Sequence, residues 1–119
     1  MKIKLESTVA DVKKAFTKLY PGLKIEFYSK PHEDHQGSHA KHLLPDDKVL
    51  KSLMSIKADG EINPDPDLTV GDLERAFADQ FGLYVQIYRK SKDLWLQTSS
   101  TDDWTLEKQN RKGIHSTQL

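Results

Sequence analysis

Thr8 to Lys30 reads TVADVKKAFTKLYPGLKIEFYSK, and Thr69 to Lys90 reads TVGDLERAFADQFGLYVQIYRK. Laid one over the other with Pro21 as the only gap, the stretches agree in identity or character at Thr8/Thr69, Val9/Val70, Asp11/Asp72, Val12/Leu73, Ala15/Ala76, Phe16/Phe77, Tyr20/Phe81, Gly22/Gly82, Leu23/Leu83, Ile25/Val85, Phe27/Ile87, Tyr28/Tyr88 and Lys30/Lys90. The pattern reads as an internal duplication of one supersecondary unit. Each copy opens on a Thr-x-x-Asp capping box: the Thr hydroxyl accepts from the Asp backbone N–H, and the Asp carboxylate sits at the positive end of the helix dipole. Apolar residues at helical spacing follow (Val9, Val12, Phe16, Leu19 and Tyr20; Val70, Leu73, Phe77 and Phe81). Pro21-Gly22 and Gly82 stop the helices, and a strand with period-2 alternation comes next.

Working outward, Ile3 and Leu5 alternate with Lys2, Lys4 and Glu6 as an opening strand over 1–6, and Glu61-Ile62 opens the second copy. Arg89 to Asp93 forms a tight connection, and Leu94 to Thr98 returns as a hairpin strand with Leu94 and Leu96 on the core side. Asp102 or Asp103 caps a short helix, WTLEKQNRK, which Gly113 ends. Asp46-Asp47-Lys48-Val49-Leu50 aligns with Asp102-Asp103-Trp104-Thr105-Leu106, so a short helix at Val49–Met54 is its counterpart. The expected architecture is an α+β two-layer sandwich built from a duplicated β-α-β-β-α unit with pseudo-twofold symmetry. Its β-α-β crossovers are expected to be right-handed and parallel. Repeat one covers 1–58 and repeat two 59–113, with a frayed tail at 114–119, all in one domain.

The chain has 119 residues, no cysteine, 36% apolar and 30% charged residues. Disulfides and thiolate chemistry are excluded, and no run approaches the ~20 apolar residues of a membrane span. These features, with no signal-peptide core at the start, point to a cytoplasmic setting without membrane contact. Net charge is zero, but residues 1–58 carry 11 Lys against 7 acids and residues 59–119 carry 7 basic residues against 11 acids. A neutral chain is not composed as a general polyanion binder.

Two constellations are candidates for function. The first is the outward face of the sheet, where strand alternation places Tyr28, Tyr84, Gln86, Tyr88, Trp95 and Lys24, with Lys90 at the rim. Such a face suits a protein partner or a second copy of the chain, because Tyr and Trp dominate interface hot spots. A lesser alternative is stacking of single-stranded nucleic acid. The short helices bearing Val49, Leu50, Leu53, Trp104 and Leu106 could instead fold over this face and bury it.

The second constellation is Pro31 to Leu44, PHEDHQGSHAKHLL, which stands where repeat two has its hairpin and predicts a short, irregular or absent return strand. Four of the five histidines lie here, at His32, His35, His39 and His42, interleaved with Glu33 and Asp34. Imidazole and carboxylate are ligands for a divalent metal, but the spacing matches no structural zinc motif, and a solvated loop has the same composition. No cofactor is otherwise implied. The acidic segment Asp59–Asp67 has its glycine misplaced for a calcium loop, and Ser99–Asp103 lacks the oriented base a nucleophile needs. The expected function is therefore non-enzymatic binding.

VQIYRKSKDLWLQTSSTDDWTLEKQN, Val85 to Asn110, together with YPGLKIEFYSKPH, Tyr20 to His32, resembles a family of small uncharacterised bacterial proteins. The resemblance implies a bacterial cytoplasmic setting and carries no activity, ligand or catalytic residue.

Overall fold

The computed structural model describes residues 1–33 and 35–118, so Asp34 of the histidine-rich segment and Leu119 of the tail lie outside the described residues. The elements run β1 (Lys2–Ile3), α1 (Val9–Leu19), β2 (Leu23–Tyr28), β3 (Gly60–Glu61), α2 (Val70–Phe81), β4 (Tyr84–Ser91), β5 (Leu94–Gln97) and α3 (Leu106–Ser116). Single 3₁₀ turns lie at Ala40–His42, Leu50–Ser52 and Ser99–Thr101. This is an α+β arrangement of three helices and two antiparallel sheets.

The helix starts follow the sequence. Thr8 accepts from Asp11 N while the Asp11 carboxylate accepts from Thr8 N, closing the capping box. Thr69 accepts from Asp72 N, but the Asp72 carboxylate turns to Arg75 instead. Gly82 adopts φ 67° as the left-handed cap of α2, a conformation in which a Cβ is penalised.

Strand pairing departs from the expectation. The β-α-β crossovers do not form parallel pairs: β1 pairs antiparallel with β3, and β2 pairs antiparallel with β4 over six residues, from Leu23↔Arg89 to Tyr28↔Tyr84. The longest strand of each half thus finds its partner in the other half, and β5 completes the order β2-β4-β5. The pairing buries apolar residues of both halves in one cluster, in which Phe27 meets Phe77 edge-on at 6.0 Å. The opening strand is reduced to two residues because the backbone after it bonds elsewhere: Ser7 O and Leu5 O accept from Leu50 N and Lys51 N.

A matched set of main-chain bonds holds each half. Val9 N donates to Lys48 O, Ala10 N to Asp46 O and Leu50 N to Ser7 O. In the second half Val70 N donates to Trp104 O, Gly71 N to Asp102 O and Leu106 N to Leu68 O. These bonds dock each long helix start on the segment that begins with paired aspartates.

α3 differs from its prediction at both ends. Thr105, rather than Asp102 or Asp103, is its cap, accepting from Lys108 N. Gly113 does not end it, and the helix runs on to Ser116 through part of the segment expected to fray. Gly113 serves close packing: a Cβ there would collide with the Gly22 backbone, and Asn110 Oδ1 accepts from Gly22 N at 2.7 Å beside it. At Val49–Met54 the expected short helix is a single 3₁₀ turn, Leu50–Ser52, with Leu50 fully buried.

Candidate interaction surface

The register fixes which side chains share a face. One face carries Phe27 with Val85, Ile25 with Ile87, and Leu23 with Arg89, and all of these except the half-buried Arg89 pack into the core. Leu96 and Leu94 lie opposite Arg89 and Ser91 on that same face, as the alternation predicts, yet they are exposed at 42% and 66%. The core ends before the hairpin tip, so the expectation that they pack inside fails on length, not on direction.

The other face carries Tyr28 with Tyr84, Glu26 with Gln86, Lys24 with Tyr88 and Gln97, and Lys90 with Trp95. It is neither fully open nor covered by the short helices. The histidine-rich segment is a strap across half of it. Ser38 N donates to Gln97 Oε1 at 2.8 Å, Ser38 Oγ to Gln86 Oε1, and Gln97 Nε2 to Ser38 O. The strap then returns to the far edge, where Leu44 N donates to Phe27 O and Leu43 bridges Tyr28 in place of a return strand. Gln86 is consequently 0% exposed and Tyr28 3%, and the Tyr28 and Tyr88 hydroxyls bond each other. Burial pushes the Tyr28 phenol well above its ordinary range, which keeps it protonated. These two residues of the predicted binding face are structural.

Tyr84, Tyr88, Trp95, Lys24 and Lys90 remain partly exposed. Lys24 Nζ sits 5.0 Å from the Tyr88 ring centre and 5.2 Å from that of Trp95, and Lys90 Nζ is 5.0 Å from Trp95. The indole is thus set among ammonium groups at cation–π distance.

The structure divides the four histidines. His32 Nε2 is 3.4 Å from Glu74 Oε1 on α2, and His35 Nδ1 is 2.8 Å from Asp102 Oδ1. His39 and His42 meet edge-on with ring centres 6.0 Å apart across the turn at Ala40–His42. Among the described residues, no three His, Cys, Asp or Glu side chains are placed to hold a metal ion, so the metal reading of His32, His35, His39 and His42 lacks a geometric basis. Imidazole–carboxylate pairs pin the strap instead.

Glu74 was not singled out by the sequence, being one acid on an amphipathic helix, yet it is buried. Its Oε2 accepts from Ile87 N at 3.1 Å, satisfying the strand amide just beyond the end of the β5 ladder. The hydrogen bond to Glu74 raises the His32 pKa to about 9, whereas burial pushes Glu74 upward against the pull of His32 and the Ile87 amide.

Two grooves run along the long helices. One, of about 100 Å³, lies between Glu74, Arg75 and Ala78 of α2 and Tyr84 of β4, with Pro31 and His32 of the strap as its wall. The other, of about 520 Å³, lies between Lys13, Lys14, Thr17 and Lys18 of α1 and Lys24 of β2, with Trp95 at its edge. In the sequence alignment the two linings correspond: Lys13 to Glu74, Lys14 to Arg75, Thr17 to Ala78, and Lys24 to Tyr84. Asp102 lies in the first and Asp46 in the second, each the acceptor, through its main-chain oxygen, for a helix-start amide. Lys13 is already paired, with Glu26 and with Asp46 at 2.8 Å. Lys14 and Lys18 are exposed.

Among the described residues, no helix is long and apolar enough to cross a membrane. No family model matches the chain, and no curated protein or solved structure does so either.

Proposed function

We propose that the chain is a non-enzymatic interaction module that binds a protein partner through the part of the outer sheet face left open around Trp95. The observation that carries this reading is the contrast within one face: the strap seals Gln86 and Tyr28, while Trp95 and Tyr88 stay partly exposed among Lys24 and Lys90. A partly exposed indole flanked by cations has the composition of an interface centre, where Trp, Tyr and Arg or Lys stems supply contact area. The same grouping supports single-stranded nucleic acid as a second reading, which zero net charge disfavours because phosphate neutralisation drives such binding. The matched bonds at Val9, Ala10 and Leu50 and at Val70, Gly71 and Leu106 support reading the two halves as diverged copies of one unit. A cytoplasmic bacterial setting belongs to the same proposal.

A photo-crosslinking amino acid placed at position 95 tests it in cells. The expected result is a discrete protein adduct that disappears when Lys24→Glu is added. Labelling no stronger than that from a crosslinker at the exposed Lys112 overturns the reading.

A further inference from the structure

The partner's chemistry follows from comparing the two grooves, an argument that rests on the reading above. In the second half the strap packs alongside α2 and walls the groove there. Pro31 and His32 line it, and the imidazole pairs with Glu74, the acid at the helix position that Lys13 holds in α1. The strap thus brings a basic group against an acid of the helix.

The groove beside α1 has a corresponding lining without a strap residue among the described residues, and it is the wider of the two, about 520 Å³ against about 100 Å³. Its charge is reversed. Lys14, Lys18 and Lys24 face it, and its acid Asp46 is held by Lys13. Trp95 adds apolar surface at the mouth, and Lys90 stands over that ring. We infer that this groove takes an extended acidic segment of a partner protein, lying along α1 as the strap lies along α2, with carboxylates on Lys14, Lys18 and Lys24 and an apolar residue against Trp95. Charge complementarity selects the occupant: a basic segment would be repelled by the three lysines.

The test is a fluorescence titration of the full chain carrying Trp104→Phe, so that Trp95 is the reporter, with decaglutamate and with a thymidine decanucleotide as probes. Decaglutamate is expected to bind saturably and shift Trp95 emission, and Lys14→Glu with Lys18→Glu is expected to weaken it by about tenfold or more. The control, Arg111→Glu with Lys112→Glu, changes net charge equally at exposed sites on α3 and is expected to leave binding within about twofold. Melting curves verify that each variant folds. If the reversed variants do not fold, amide shifts of Lys14, Lys18 and Lys24 in the unaltered protein must move with peptide. Absent binding, an equal loss in both double variants, or tighter binding of the decanucleotide through the same lysines overturns the inference. A position-95 adduct in cells combined with no peptide binding would overturn the acidic-segment inference alone, leaving the interaction surface standing.

Discussion

His32 of the strap lies with its Nε2 3.4 Å from Glu74 Oε1, joining the histidine-rich segment to the helix of the other half. The imidazolium is favoured by the carboxylate beside it, with its pKa at about 9 against an ordinary value of 6.5. A raised folded-state value stabilises fully below pH 6.5 and loses that contribution as pH rises towards 9. Stability of the wild-type chain is therefore expected to fall across this window by about 1.5–2 kcal/mol, the lower part of the range for a hydrogen bond to a charged group. In His32→Gln the curve is expected to be flat there. Urea denaturation at pH 6, 7.5 and 9 reads both, and an identical slope in the variant would remove the pair from the account.

Gly113→Ala sets two effects against each other. Helix propensity favours Ala by about 1 kcal/mol at an interior position. The added Cβ would collide with the Gly22 backbone, which has no flexible side chain to yield. The collision is expected to win, lowering stability by about 2 kcal/mol or more and loosening α3 from β2. Thermal melting decides the sign.

Leu50 and Leu106 are each 0% exposed at matched places after the paired aspartates. Truncating either to Ala is expected to cost about 2–5 kcal/mol. Trp95→Ala, at a partly exposed site, is expected to cost under about 1 kcal/mol. A large loss at Trp95 would mark it as core and undercut its place on a working surface.

The helices were legible because their signals are local: the Thr8 and Thr69 caps, the apolar stripes and the Gly82 stop act within a few residues. The sheet face was legible in part, since alternation puts Tyr88 and Trp95 on the outer side of their hairpin and Lys24 on the outer side of its own strand. What the sequence could not convey was long-range. That β2 would pair with β4 depends on which of several apolar strands meet, and that Leu94 and Leu96 overhang the core depends on where the other layer ends. Gly113 reads as a helix stop until the Gly22 backbone is beside it. The histidines read as one cluster because they are adjacent in sequence. Glu74 and Asp102, which divide them, come from 42 and 67 residues away, counting from His32 and His35 respectively. The open groove beside α1 is invisible without its strap-walled counterpart beside α2.

Lysine footprinting of the protein in its native cells tests the central claim most directly, with acylation rates compared against those of the purified chain. A partner segment lying along α1 predicts that Lys14, Lys18 and Lys24 are protected several-fold in cells while Lys30, Lys41 and Lys112 react alike in both settings. Equal rates at all six lysines would contradict the account.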